Sequence, residues 1–320
     1  LDSLIEQFEF EVERHNIEPK SLETLFIGGG TPSTIDASLY MELFDKIGRY
    51  LKVGAEITVE ANPHSATEQW LSQIYSLGAN RVSLGVQSFS DIKLNKLGRE
   101  HTRADAFRAV EAAKKSGFDS INIDLIYAHC DDTQELLLQD LQSAFSLPID
   151  HISAYALTIE SGTLFAKRPE VASEDLELTK TLFEEIKKGG FEQYEISNFA
   201  QTRSKHNLGY WQYRPYIGLG AGAVGSIEQV RYYPHSSIEL YIKNPLYRRE
   251  EKLSSEDVKS EKLLLALRSC VGVDRALLNT QELQRAQWLC EEGRLKDQDG
   301  RFYNRDYLLS DEITLYIQGN

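Results

Sequence analysis

The feature that most constrains this chain is a rhythm. Short β-branched or apolar runs, LETLFIG, AEITVE, NRVSLGVQ, SINIDLIY and HISAYAL, are separated by helix-like stretches and recur at intervals of roughly 25 to 40 residues. This spacing leaves room for a crossover helix after each strand, so it predicts parallel strands and an α/β fold. FEQYEIS at 191–197 reads as a further strand. Residues 173–188 predict a helix capped by Ser173, with Glu174 and Asp175 in its first turn, Lys187 and Lys188 in its last, and Gly189-Gly190 at its end. The opening LDSLIEQFEFEVERH is a helix by its spacing of Leu4, Ile5, Phe8 and Val12.

Period-two alternation phases the strands. Ile57 and Val59, then Val82, Leu84 and Val86, then Ile121, Ile123 and Leu125 fall on one face, toward helices. The other face carries Thr58 and Glu60, Ser83, Gly85 and Gln87, Asn122 and Asp124, and Ser153 and Tyr155. An ordinary β/α barrel packs its interior with branched apolar side chains, so a lumen lined by this set is wider and wetter. Burying Glu60 and Asp124 without partners costs on the order of several kcal/mol, which makes a polar ligand their natural partner. These residues fall at the C-terminal strand ends, where β/α barrels carry their sites.

Composition narrows the function. The 320 residues, 41% hydrophobic and 10% aromatic, can bury a large core, and the formal charge of −14 argues against a nucleic-acid or anionic-membrane surface. No apolar run approaches the roughly eighteen residues of a membrane span and no leader pattern opens the chain, which predicts a cytoplasmic protein without membrane insertion. Cys130, Cys270 and Cys290 are too widely spaced for a disulfide framework or a metal-ligand motif. A homodimer is compatible with these data.

IGGGTPS at 27–33 is a glycine turn after a strand, suited to close backbone approach by a ligand, and it lacks the Lys-Ser/Thr ending of a phosphate loop. Together with VEANP at 59–63, SLGVQSF at 83–89, LGREHT at 97–102, INIDLIY at 121–127 and HISAYALTIE at 151–160, it forms an ordered set. This set resembles the radical S-adenosylmethionine (SAM) family of oxygen-independent coproporphyrinogen III dehydrogenases and their HemW-type heme-chaperone relatives. The resemblance implies a partial (β/α) barrel over residues 1–200, a connecting region over 201–249 and a smaller C-terminal α+β domain over 250–320. It further implies that the backbone at Gly28, Gly29, Gly30 and Thr31 holds the methionine end of SAM. Glu60, Gln87, Arg99 and Asp124 would contact its amino, ribose and carboxylate groups, and Ala156 would lie beside the adenine.

HNLGYW at 206–211 looks like the HNxxYW pattern of the heme-chaperone branch. His206 can ligate heme iron as a neutral imidazole, Tyr210 and Trp211 offer flat surface for the macrocycle, and Asn207 completes the motif. Arg203, Lys205, Arg214 and Arg231 make the stretch positive and suit propionates. The alternative is an ordered loop whose His206 and Asn207 cap a turn. GAGAVG at 220–225 spells a dinucleotide fingerprint, but SIEQVRYYP after it is short, β-prone and stopped by Pro234, so a close-packed turn is expected.

Family members hold a four-iron, four-sulfur cluster with CxxxCxxC after the first barrel strand; neither occurs in this chain, and a segment upstream of Leu1 is the expected reason. The family's usual Gly-Leu-Pro after INIDLIY is replaced by Ala128-His129-Cys130, a neighbour pair that carries no metal or nucleophile reading by itself. Three functions follow: a chaperone that binds heme or porphyrin and passes it to a hemoprotein, an oxygen-independent coproporphyrinogen III dehydrogenase, and a radical SAM enzyme of another substrate class. HNLGYW favours the first.

Overall fold

The computed structural model describes residues 1–159, 168–173 and 175–319. One sheet contains β1 (Leu22–Ile27), β2 (Leu51–Ala61), β3 (Arg81–Gln87), β4 (Ser120–Tyr127), β5 (His151–Ala156), β6 (Glu192–Gln193) and β7 (Asn198–Ala200), in the order β1-β2-β3-β4-β5-β7-β6. After α1 (Asp2–Arg14) and α2 (Met41–Gly48), the crossovers are α3 (Glu68–Ser76), α4 (Asp91–Lys96) with α5 (Arg103–Ser116), and α6 (Gln134–Phe145). Strands β2 to β5 pair in parallel, as the rhythm predicts. Sheet and crossovers make a partial β/α barrel.

Local chemistry explains where these helices begin. Thr67, Ser90, Thr102 and Thr133 each accept a backbone N–H from the first turn of α3, α4, α5 and α6, and Thr102 and Asp105 form a reciprocal capping box. Register then builds the core. Val59, Val82 and Ile121 stand side by side, as do Leu84, Ile123 and Ile152, all fully buried. Leu71 and Ile74 of α3, Val110 and Ala113 of α5, and Leu141 and Ala144 of α6 are buried too, each large side chain contributing about 1.5–3 kcal/mol.

Two expectations change. FEQYEIS is not one strand: β6 stops after Gln193, the Tyr194 N–H bonds the Asn198 carbonyl, and β7 returns antiparallel to both β6 and β5. Tyr194 is fully buried at this reversal, so its aromatic ring anchors a turn where composition alone suggests a strand. The helix expected over 173–188 is α7 (Leu176–Lys188), and its cap is Asp175, which accepts the Leu178 N–H. The Ser173 N–H instead bonds the Ala128 carbonyl, a tertiary tether invisible to propensity. Glu174 lies outside the described residues.

Contacts divide the chain into two compact units: Thr24–Met41 with Ala55–Arg203, and Leu1–Glu23 with Glu42–Gly54 and Ser204–Asn320. The second unit includes α8 (Lys205–Trp211), β8 (Gly225–Ile227), β9 (Val230–Tyr233), α9 (Ile238–Lys243) and β10 (Arg249–Lys252), in which the strands form an antiparallel sheet. It continues with α10 (Ser255–Leu267), β11 (Val273–Asp274), α11 (Thr280–Glu291), β12 (Leu295–Gln298), β13 (Arg301–Asn304) and α12 (Ser310–Gln318). Leu263, Leu267, Leu289, Phe302, Ile313 and Ile317 belong to the core of this last α+β part. GAGAVG is the close-packed turn expected: a Cβ on Gly218 would stand 2.3 Å from the Val224 carbonyl oxygen, and β8 follows where a dinucleotide fold needs a helix. No described helix is long and apolar enough to cross a membrane.

Candidate functional site

The glycine turn leaves β1 against the end of β2. Gly29 has φ +88°, a conformation natural to glycine, and its N–H donates to Glu60 Oε2 at 3.3 Å. Side chains added at Gly29 or Gly30 would meet nothing within 4 Å, so the backbone lies open on that side. Ser33 ties the turn in place: its Oγ accepts the Asn62 N–H at 3.0 Å and lies 2.6 Å from Ser65 Oγ. Thr31 begins the short turn that follows, its carbonyl accepting from Thr34.

Glu60, Ser83 and Asn122 are cross-strand neighbours, and Asp124 pairs with Ser153 one step further along. Burial, then the Asp124 charge, pushes the Glu60 carboxyl up; burial pushes Asp124 up as well. Arg99 is also drawn into this field: burial lowers its guanidinium while the Asp124 carboxylate opposes the change. Gln87 sits at a bulge with φ +67°, which turns its amide over Gly85, where a Cβ would stand 3.0 Å from Nε2. Ala156 closes the set, in register with Tyr127. Glu60, Ser83, Asn122, Asp124 and Ser153 therefore share one face toward the C-terminal strand ends, the Gln87 amide is folded over that face at the bulge, and Ala156 lies one residue out of the alternation.

Beneath them runs a buried polar chain that the sequence analysis did not assemble. His151 is fully buried, with Nε2 2.8 Å from the Tyr194 hydroxyl and Nδ1 2.6 Å from Asn122 Oδ1. Asn122 Nδ2 donates to Ser83 Oγ and to Asp124 Oδ1, each at 2.8 Å. Burial, then the Arg81 charge, holds the imidazole well below its ordinary pKa, so His151 is neutral. The signal was available, since His151 alternates with Ser153 and Tyr155, and Arg81 with Ser83. Glu195 and Asn198 were not findable this way, because the turn after β6 breaks the alternation. Both are buried, and Glu195 Oε1 and Asn198 Oδ1 have no hydrogen-bond partner among the described residues.

In the other unit, Ser204 caps α8 by accepting the Asn207 N–H at 3.3 Å, so neither His206 nor Asn207 serves as the cap. His206 and Tyr210 stand one turn apart, with Nε2 3.2 Å from the Tyr210 hydroxyl and rings edge to face at 4.9 Å. Tyr216 continues the cluster against Tyr210 at 4.7 Å. Tyr210 is 40% exposed, and His206 and Trp211 are half-buried. The cations around the motif are engaged: Arg203 with Glu192, Arg214 with Glu23, Arg231 with Glu261, and Lys205 with the Gly54 carbonyl. A propionate at these cations would share them with the partners they already have.

All three cysteines are free thiols. Cys130 is exposed after β4, and Cys270 and Cys290 are partly buried. His129 Nδ1 lies 4.0 Å from Cys130 Sγ but already accepts the Asp131 N–H, and Asp131 is paired with Lys96.

Residues 4–142 match the Radical SAM superfamily. The chain is 37% identical over 288 residues to the heme chaperone HemW of Lactococcus lactis, covering 85% of this chain and 74% of the relative. It is 31% identical over 329 residues to HemW of Mycobacterium tuberculosis, covering 97% and 84%. Among solved structures, coproporphyrinogen III oxidase (HemN) from Escherichia coli superposes with a TM-score of 0.79 at 18% identity, over 99% of this chain and 82% of that one, a likeness of fold. With HemW relatives matched along most of both chains, this chain belongs to the HemW family of radical SAM proteins.

Proposed function

We propose that the chain is a heme-binding chaperone: it holds SAM at the C-terminal strand ends, binds heme through α8, and delivers the heme to a recipient hemoprotein in the cytoplasm. The observation that carries this reading is the His206–Tyr210–Tyr216 cluster, a half-buried imidazole beside two aromatic rings, in a chain related to proteins named heme chaperones. As an imidazole ligand, His206 would give Nε2 to iron in exchange for its 3.2 Å contact with the Tyr210 hydroxyl, and the rings supply apolar surface for a flat macrocycle.

The SAM site fits its ligand chemically. The glycine turn leaves backbone donors and acceptors open, while Glu60 and Asp124 put two acids beside one guanidinium, suiting a ligand with sulfonium and ammonium charges. Gln87 and Ala156 complete its wall, Gln87 by its amide and Ala156 by its backbone. When loaded on a cluster, SAM supplies radical chemistry. The cysteines of this chain do not fit a four-iron cluster, so the residues described here bind and orient SAM and support no further step.

A heme titration followed by absorbance tests the reading, run on the full chain beside His206→Ala and beside an assay for coproporphyrinogen decarboxylation. Stoichiometric binding that falls at least tenfold in His206→Ala, without decarboxylation, is expected. Unchanged affinity in the variant overturns ligation by His206, and decarboxylation without stable heme binding overturns the chaperone reading in favour of the dehydrogenase.

A further inference from the structure

His151 touches none of the atoms proposed to meet SAM, yet it lies at the centre of a buried polar chain that reaches Asp124. The donors and acceptors of that chain can be assigned from one end. Asp124 as a carboxylate only accepts, so the Asn122 group 2.8 Å from it must be the amide nitrogen, which also donates to Ser83. The amide oxygen then faces His151 Nδ1 at 2.6 Å and Ser153 Oγ at 3.2 Å, both of which must donate. With Nδ1 protonated, a neutral ring accepts at Nε2, where the Tyr194 hydroxyl stands at 2.8 Å. If the amide were reversed, its oxygen would point at the Asp124 carboxylate, and two acceptors would oppose each other with no hydrogen between them.

We propose that His151 is a positioning residue for the candidate ligand site: by donating Nδ1–H to Asn122 it holds the Asn122 amide nitrogen on Asp124 and so aims that carboxylate at the ligand. Tyr194, brought over β5 by the reversal between β6 and β7, completes the arrangement by selecting the tautomer. The inference rests on the reading of Asp124 as a SAM contact. It adds a residue with no ligand contact whose loss changes affinity through orientation.

Two measurements test it on the full chain. Nitrogen-15 NMR of the histidine side chains should show His151 protonated at Nδ1 and bare at Nε2 between pH 6 and 8; the opposite tautomer, or a titrating ring, overturns the proposal. Calorimetry with S-adenosylhomocysteine as probe should show at least tenfold weaker binding in His151→Leu. Recovery to within threefold is expected in His151→Asn, whose amide nitrogen occupies the place of Nδ1. Equal losses in both variants would mean that packing matters and donation does not, and unchanged binding in His151→Leu would make the residue idle; either overturns the proposal. Asp124→Asn separates the two readings. If it binds the probe as well as the unaltered chain, or if the unaltered chain does not bind the probe, the site reading fails; if it weakens binding while His151→Leu does not, only the positioning role fails.

Discussion

A Cβ placed on Gly28 would stand 2.6 Å from Glu60 Oε2 and 2.7 Å from the Phe26 ring, so the carboxylate occupies the space that any other residue at 28 would fill. Gly28→Ala must therefore push Glu60 away and break its bond from the Gly29 N–H. We expect at least a tenfold loss of S-adenosylhomocysteine affinity by calorimetry, with a stability loss of only about 1–2 kcal/mol in urea. Unchanged affinity would remove the turn from the ligand wall.

Glu195 sets a pH dependence of stability. It is 1% exposed, and burial raises its carboxyl from 4.5 to about 7. The folded chain then binds more protons than the unfolded chain between those values, so this group makes stability fall as pH rises from about 4.5 to about 7 and then level off. That rise from 4.5 to about 7 corresponds to about 3 kcal/mol. Glu195→Gln removes the charge, and it should be more stable than the unaltered chain at pH 8 by up to that amount and nearly equal to it at pH 4.5. Urea melts that show the same difference at both values would contradict the assignment. Glu60 and Asp124, also raised, act with the same sign.

Lys93 and Asp132 form a buried ion pair at 2.6 Å, their side chains 3% and 1% exposed, and Lys93 also donates to the Ile126 carbonyl at 2.7 Å. The pair ties the start of α4 to the loop after β4. Lys93→Met leaves a carboxylate buried without its cation, so a loss of about 3–5 kcal/mol is expected. Adding Asp132→Asn should restore at least half of it, since the remaining amide carries no charge. A double variant no better than the single one would show that the salt bridge is not what the first substitution disturbed.

Phe302 is fully buried in β13, and the Arg275 guanidinium lies 5.1 Å from its ring centre. Phe302→Ala should destabilise the α+β core by about 3–5 kcal/mol, read from its thermal or urea transition. A loss below about 1 kcal/mol would mean that the surrounding helices close over the cavity.

The sequence by itself determined the parallel strands, the glycine turn and the polar face of β2, β4 and β5, because period-two alternation is a local property of the backbone, whereas the bulge at Gln87 and the reversal after β6 are not. It placed Glu60, Ser83, Asn122, Asp124 and Ser153 on the polar face before any register was known. Motif resemblance, which is also local, picked out Gly28 to Thr31 and His206. Only the tertiary structure decided which polar groups meet. His151 reaches Asn122 and Tyr194 across 29 and 43 positions of chain, distances at which register, turn geometry and packing choose the partner and propensity is silent. The same holds for the reversal at Tyr194, for Asp175 in place of Ser173 as the α7 cap, and for the cations near α8. Sequence shows only that those cations make the stretch positive; the fold pairs them with Glu192, Glu23 and Glu261.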